Sequence, residues 1–440
     1  MRGCASPEAE GEPWALVENR SLLACNSAAE ACGVRPGSSL AVAWALAPRL
    51  RVLRRDAAAE REALEAVGAW ACQFTAKVSL EPPQELLLEV QGSLRLFGGA
   101  ARLAARLRAG LADLGFEARL AVGPTARAAL WLARGESTSL HATRVEAIGM
   151  PAETLEWLRR IGVGTLGELM RLPRTGLATR FGQTLLDDLD RALGRVPEPR
   201  AFFTPPGHFS AALELAAPVM EAERVLFAAR RLLVQMEGFL AARQAGVRAF
   251  TLGLLHRGRP PTAIEIGHAA PRRDTGHGLQ LLRERLGALS LAAPVEALRL
   301  EAGESAPLAP HAPGLLGDER DRAEDWERLV ERLQARLGNT RVHGMATSAE
   351  HRPERAWRPM AVGETAGIET PPGPRPLWLL EPPRRIGAGE YALLSGPERI
   401  ESGWWDGDDV RRDYYIAAQG RALAWIYRAR EGWFLHGWFA

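Results

Sequence analysis

Residues 19–40, NRSLLACNSAAEACGVRPGSSL, predict two short helices joined by a Gly-Val-Arg-Pro-Gly turn. Ser27 and Ser39 are suited to cap these helices, because a serine hydroxyl accepts a hydrogen bond from a free N–H group in the first turn. A glycine follows the first helix and a proline follows the second. The stretch therefore predicts a small helical subdomain that extends to Asp56.

A mixed pattern of helices and strands continues to residue 149. Apolar residues recur at helical spacing, and short β-branched and leucine-rich runs alternate with them. The predicted helices are Ala57–Phe74 and Ala100–Leu114, and the predicted strands are Val78–Leu80, Glu85–Val90 and Arg119–Gly123. Segments of this kind predict one mixed sheet with helices on one face, so that residues 1–149 form the first domain.

Residues 150–196 are helical throughout in pattern. The Gly162-Val163-Gly164 turn resembles a helix-hairpin-helix, and its backbone N–H groups are expected to be free to meet a phosphate. Arg159 and Arg160 stand just before it. We therefore predict DNA contacts that fix position without reading sequence; the alternative is a turn that serves only packing.

A proline-rich stretch separates this region from residues 206–303. The predicted order there is β-α-β-β-α-β, a split ferredoxin-like unit. Its arginines are predicted to line a DNA-binding groove, the alternative being a solvated face. These arginines are Arg230, Arg231, Arg248 and Arg257.

The remainder predicts a connector and a small β module. Residues 304–376 are rich in proline, glycine and charge, and they contain an amphipathic helix at Ala323–Leu337. Its apolar stripe consists of Trp326, Leu329, Leu333 and Leu337. Residues 377–440 are dense in tryptophan with turn residues between, which is typical of strands.

Composition restricts the class of protein. Hydrophobic residues make up 47% and charged residues 25%, and the net charge of +2 confines any nucleic-acid contact to a local patch. No apolar run approaches the ~18 residues that cross a membrane, and the first residues do not form a signal peptide. The four cysteines have no zinc-binding spacing and no histidine pair completes a zinc set. We expect a cytoplasmic protein with reduced thiols and without a metal or cofactor.

Taken in order, residues 15–303 resemble the fingers, palm, thumb and little finger of Y-family DNA polymerases. The second half of the chain narrows the resemblance to the ImuB-type branch, a catalytically inactive relative. The phrases that carry it are Glu350–Trp357 (EHRPERAW), Arg375–Leu380 (RPLWLL), Gly396–Trp405 (GPERIESGWW), Arg412–Tyr415 (RDYY) and Trp433–Phe439 (WFLHGWF). The resemblance implies an α+β multidomain fold with a β-rich C-terminal module.

The resemblance also points to a degenerate metal site. Active relatives carry an Asp-Glu dipeptide and then Leu-Asp-Val-Thr-Gly, whereas this chain has Gln84-Glu85 and then Leu88-Glu89-Val90-Gln91-Gly92. Two-metal phosphoryl transfer needs anionic ligands around cations about 3.5–4 Å apart. Active relatives begin with an aspartate-bearing strand, and no aspartate precedes Ala15 here; either the chain is truncated or that strand is absent. We therefore predict no catalytic residues.

The partners that the resemblance implies are DNA, the β sliding clamp, an error-prone C-family polymerase and an ImuA-type RecA-like protein. Clamp binding in this branch rests on a Gln-x-x-Leu-Phe-like peptide. The corresponding segment is His311-Ala-Pro-Gly-Leu315-Leu316, which lacks the glutamine. It is either a clamp-binding peptide or a plain linker.

Three functions remain open from the sequence. The first is a non-catalytic scaffold of damage-induced translesion synthesis. The second is an active distributive polymerase that uses Glu81, Glu85 and Glu89 as metal ligands. The third is a helix-hairpin-helix DNA-binding protein unrelated to replication, which the C-terminal phrases disfavour.

Overall fold

The computed structural model describes residues 12–308, 319–338, 340–362 and 373–439. The chain divides into two compact units, residues 1–336 and 337–440. None of the described helices is both long enough and apolar enough to cross a membrane.

The first unit begins with a three-stranded sheet and two short helices. Their bounds are β1 (Trp14–Glu18), β2 (Ser21–Cys25), α1 (Ser27–Ala31), α2 (Leu40–Leu46) and β3 (Arg51–Arg54). Strand β1 is central, antiparallel to β2 and parallel to β3. Ser39 caps α2 as predicted, accepting from the Val42 N–H at 3.4 Å. Asn26, rather than the predicted Ser27, caps α1: its Oδ1 accepts from the Ala29 and Trp14 N–H groups, both at 3.0 Å.

The segment up to residue 149 forms helices around a single hairpin. Its elements are α3 (Ala57–Ala71), β4 (Val78–Glu81), β5 (Glu85–Leu88), α4 (Leu94–Phe97), α5 (Ala100–Asp113) and α6 (Ala126–Arg134). The predicted strand at 119–123 is wrong: these residues pair with no strand in the described chain, and β4 and β5 form a two-stranded sheet. A cavity of about 720 Å³ lies between the hairpin and residues 116–120. Because this cavity separates residues 116–120 from β5, the described residues of this region do not form one mixed sheet.

Four helices follow, as the pattern predicts. They are α7 (Ala152–Arg160), α8 (Leu166–Leu169), α9 (Arg174–Phe181) and α10 (Gln183–Ala192). Leu158, Leu166 and Leu169 are fully buried in a cluster that includes Trp131 of α6. The helices therefore pack against the end of the preceding segment.

The predicted β-α-β-β-α-β order is confirmed. It consists of β6 (Ser210–Val219), α11 (Ala222–Ala241), β7 (Ala245–His256), β8 (Arg259–Arg272), α12 (Thr275–Gly287) and β9 (Val295–Ala302). The antiparallel strand order is β6-β9-β7-β8, so each parallel pair is split by one strand, and a short β10 (Ser305–Pro307) extends the sheet beside β7. Phe250, Leu252 and Leu254 alternate inward beneath α11 and α12.

One tryptophan packs between this sheet domain and the first domain. Trp70 of α3 is 3% exposed. A Cβ at Gly110 of α5 would lie 2.2 Å from the indole Cζ2, and one at Gly238 of α11 would lie 2.2 Å from Cδ1. Only glycine leaves room for the ring at both positions, so three helices meet at this side chain.

Helix α13 (Glu319–Leu337) closes the first unit and buries a face that mixes apolar and charged residues. The predicted apolar stripe is exposed, with Trp326 at 64% and Leu329 at 45%, whereas Glu331 is 3% exposed. The helix period was right, but the stripe does not mark the buried face. The buried face instead combines Val330 and Ala335 with Glu331, whose carboxylate accepts a hydrogen bond from the Ala269 N–H of the sheet domain.

The second unit is β-rich, as predicted. Its elements are β11 (Gly344–Thr347), β12 (Trp357–Met360), β13 (Trp378–Ile386), β14 (Ala392–Ser402), β15 (Val410–Gln419), β16 (Ala422–Ala429) and β17 (Gly432–Trp438). β11 and β12 form a hairpin, and the other five strands form an antiparallel sheet in the order β13-β17-β16-β15-β14. The hairpin belongs to this unit, although the sequence placed it within a connector.

Candidate nucleic-acid interface and the carboxylate hairpin

The hairpin of β4 and β5 presents the carboxylates that the sequence singled out. Its ladder pairs Val78 with Leu88 and places Glu81 opposite Glu85 at the turn. Gln84 stands in the turn and lines the cavity beside Glu85. Glu89 follows the end of β5.

Each of these carboxylates has a separate cation as its partner. Glu85 accepts two hydrogen bonds from Arg134 of α6, both at 2.6 Å, and this bidentate pair raises the pKa of the guanidinium. Glu81 pairs with Arg200, and Glu89 lies 3.3 Å from the Lys77 ammonium. Within the described chain they do not join a cluster of three potential metal ligands.

This arrangement differs from a two-metal centre. Two shared cations need carboxylates that converge on them, whereas Arg134 neutralises Glu85 and a neutral amide stands at position 84. An exposed bidentate pair contributes little to stability, but it fixes the orientation of the carboxylate. The hairpin is therefore ordered by ion pairs to its own chain.

The turn between α7 and α8 is closed by a carboxylate. Glu168 Oε2 accepts from the Gly164 N–H at 2.8 Å and from the Thr165 N–H at 3.0 Å, and these bonds lower the pKa of Glu168. The Gly162 N–H donates to the Arg159 carbonyl at 3.0 Å. The prediction that the turn's N–H groups are free is thus wrong, because the capping box already satisfies them. Gly162 does adopt the left-handed conformation that favours glycine, with φ of 79°.

Arg159 and Arg160 lie on the solvent side of α7. Their side chains are 58% and 73% exposed, and they pair with Glu146 at 2.8 Å and Glu156 at 2.6 Å. The bond from Arg159 lowers the pKa of Glu146. Exposed pairs of this kind are weak, so both guanidiniums can exchange a carboxylate for a phosphate.

The four arginines of the sheet domain do not share one groove. Arg230 bonds to Asp113 at the end of α5, at 2.9 Å, and Arg231 lies against Gly115. Both therefore pack against the first domain. Arg248 donates to the Ala269 carbonyl at 2.9 Å, and Arg257, 90% exposed, stands in the turn after β7.

The open face of this sheet is a surface that the sequence did not single out. Small residues line it at Ala212 of β6, Gly253 of β7 and Ala263 of β8, and Arg299 of β9 pairs in register with Ala212 and Gly253. Arg299 is 56% exposed. Small side chains let another backbone approach closely, but Glu214, Glu265 and Glu301 are exposed on the same face two residues along their strands. Strand alternation alone would have located it.

A second missed feature is a buried cluster of two histidines and a carboxylate. His268 of β8 and His277 of α12 both bond to Glu331 Oε2, and the Ala269 N–H donates to Oε1 at 2.7 Å. Burial raises the pKa of Glu331, but these hydrogen bonds outweigh it and hold the pKa well below its ordinary value. The three residues are separated along the chain, so spacing gave no signal.

The segment at residues 350–357 has a structural role in the second unit. Arg352 is 1% exposed and pairs with Glu350 at 2.7 Å and Asp406 at 2.6 Å. Its guanidinium lowers the pKa of both carboxyls to about 2. The bonds fix the connection between β14 and β15, where Trp404 and Trp405 are exposed. The candidate clamp residues His311, Leu315 and Leu316 lie outside the described residues.

Comparisons with known proteins support the resemblance. Residues 4–134 match the impB/mucB/samB family model. Over 463 aligned positions the chain is 29% identical to Protein ImuB of Caulobacter vibrioides, covering 92% of this chain and 100% of the relative. A Dbh ternary complex aligns at 13% identity and a TM-score of 0.38, covering 69% of this chain and 94% of that one. DinB from Sulfolobus solfataricus aligns at 15% identity with the same TM-score and coverage.

Proposed function

We propose that this homologue of the ImuB-type, Y-family polymerase-like proteins is a non-catalytic DNA-binding scaffold in damage-induced translesion synthesis and mutagenesis. The observation that supports the loss of catalysis is the bidentate ion pair between Glu85 and Arg134, next to a neutral Gln84. A metal ion at Glu85 must displace a guanidinium held by two 2.6 Å bonds.

Primer extension by the purified chain tests this proposal. We expect no templated nucleotide addition with Mg²⁺ or Mn²⁺ on an undamaged template. A Glu85→Ala variant serves as the control for contaminating polymerase. Extension that disappears in that variant would establish the active polymerase instead, with Glu81, Glu85 and Glu89 as ligands.

DNA binding is assigned to exposed arginines on two surfaces of the first unit. Arg159 and Arg160 supply one, and Arg299 supplies the other, on an open sheet face that also carries Glu214, Glu265 and Glu301. Contacts to phosphate alone are sequence-independent and weaken steeply with salt. Equal affinity for unrelated duplexes at each salt concentration is the expected result.

Protein partners are assigned to the second unit and to residues 311–316. The partners are an error-prone C-family polymerase and an ImuA-type protein for the unit, and the β sliding clamp for the short segment. Because Arg352 ties residues before 377 to the C-terminal sheet, the unit must be removed as residues 337–440. We expect this deletion to abolish recovery of the polymerase and the ImuA-type protein while DNA binding is kept. Full recovery of both would contradict the assignment.

A further inference from the structure

Helix α13 buries a mixed face, in which the apolar Val330 and Ala335 lie beside Glu331 at 4%, 7% and 3% exposure. Trp326 and Leu329 of its apolar stripe stay 64% and 45% exposed, whereas the Glu331 carboxylate is buried. Removing a carboxylate from water is costly unless charged or polar partners compensate for the lost hydration. Apolar burial on this face comes from Val330 and Ala335, and the groups around Glu331 must compensate for the lost hydration of its carboxylate.

Those groups come from two elements of the sheet domain, β8 and α12. His268 Nδ1 of β8 lies 3.5 Å from Glu331 Oε2, and His277 Nε2 of α12 contacts the same oxygen. One donor atom of each residue lies within 4.8 Å of the other two. The side chains are 4%, 3% and 1% exposed. Two imidazoles and one carboxylate, all shielded from solvent, thus face one point.

We propose that His268, His277 and Glu331 bind a divalent transition metal of the zinc class, which anchors α13 to the sheet domain. Two histidines and a glutamate are a known donor set for Zn²⁺, with a fourth position for water. Tetrahedral bonds of 2.0–2.1 Å separate donors by about 3.4 Å, close to the 3.5 Å between His268 and Glu331. The His277 contact has to open to the same separation, which a side-chain rotation provides.

The surroundings of the cluster fit a bound cation. The Ala269 N–H donates to Glu331 Oε1 at 2.7 Å, which orients the other oxygen toward the imidazoles. Such outer bonds commonly hold metal ligands in place. Arg272 lies 3.5 Å from Glu331 and 2.7 Å from Glu327. The two carboxylates and the one guanidinium have a net charge of −1, which attracts a cation.

Metal titration of the full chain tests the proposal. After treatment with a chelator, the protein is equilibrated with Zn²⁺ or Co²⁺ and the bound metal is measured. We expect one Zn²⁺ per chain, and with Co²⁺ the intense visible absorption of four-coordinate cobalt. Hydrogen exchange at residues 324–337 is expected to slow on metal addition, because α13 becomes anchored.

Two substitutions separate the site from nonspecific binding. Glu331→Gln and His277→Ala should each remove the bound metal and the metal-dependent protection of α13. His256→Ala is the matched control, since that ring bonds to Thr262 and to the Pro294 carbonyl and lies outside the cluster; it should bind one metal ion. Circular dichroism verifies that each variant is folded. The proposal is overturned if the unsubstituted chain binds no stoichiometric metal, or if Glu331→Gln binds it equally well. Protection of α13 without any metal dependence would identify the cluster as a hydrogen-bonded contact only.

Discussion

Replacing Gly238 with alanine should destabilise the first unit although alanine is the better helix former. The added Cβ would lie 2.2 Å from Trp70 Cδ1 and 2.7 Å from Gln73 Nε2, whereas carbon atoms pack at about 3.5–4.0 Å. The indole cannot retreat, because Gly110 already abuts its other edge. Overpacking of this kind costs about 1–3 kcal/mol, against a helix-propensity gain of up to about 1 kcal/mol. We expect a net loss of about 1–2 kcal/mol.

A glycine with open space around it supplies the matched control. Gly176 lies in α9, is exposed, and has no atom within 4 Å of an added Cβ. Gly176→Ala should therefore stabilise the chain by about 0.4–1 kcal/mol. Denaturant unfolding, combined with hydrogen exchange at residues 57–71 and 222–241, measures both variants.

A double-mutant cycle tests the physical cause. Trp70→Leu is destabilising alone, but it removes the ring that Gly238→Ala strikes. In that background Gly238→Ala should become neutral or stabilising, giving a coupling energy of at least about 1 kcal/mol. If Gly238→Ala stabilises the unsubstituted chain as much as Gly176→Ala does, the close packing of Trp70 is refuted.

Three further predictions concern charged groups. The Arg159→Ala/Arg160→Ala variant should bind all duplexes more weakly, and its log–log slope of affinity against salt should be smaller by about 1.8. Glu146→Gln should strengthen DNA binding, because it releases Arg159. Fluorescence anisotropy measures both variants, and an unchanged slope would show that the two arginines do not contact phosphate. Arg352→Gln should destabilise the second unit, because Glu350 and Asp406 lose the guanidinium that both contact; unchanged hydrogen exchange in the C-terminal sheet would contradict this. Burial lowers the pKa of His436 to about 4 from 6.5. As the pH falls below 6.5, this histidine is protonated in the unfolded chain before it is protonated in the folded one. The stability that the neutral His436 contributes is therefore complete above pH 6.5 and is lost as the pH falls toward 4. A His436→Gln variant should lack this part of the acid dependence, and an unaltered pH profile would refute the assignment.

The spacing of apolar residues was sufficient to predict helices and strands where the apolar residues are the buried ones. The β-α-β-β-α-β order was predictable because Phe250, Leu252 and Leu254 alternate inward along β7. Residues 119–123 have the same apolar character, but a strand exists only if it has a partner, and sequence does not show the cavity that separates them from β5. Pairing is a tertiary property, so the composition of one segment cannot decide it.

Polar contacts explain the other differences. The buried face of α13 consists of Val330, Glu331 and Ala335, and not of the stripe that contains Trp326. The histidine partners of Glu331 are far away along the chain, so their meeting depends on the fold. The sequence predicts free N–H groups at the hairpin turn, yet the Glu168 carboxylate accepts from two of them. A charged residue that bonds to backbone leaves no periodic signal.

The strand order of the C-terminal sheet constrains how it forms during synthesis. β13 leaves the ribosome first of the five strands, but within this sheet it pairs only with β17, the last of them. β14, β15 and β16 can form their meander as they emerge, since each pairs with its neighbour in sequence. Until β17 arrives, the edges of β13 and β16 that it will cover both remain unpaired, and such edges are prone to association with other chains. Nascent chains stalled before residue 432 should therefore be the form that most needs a chaperone.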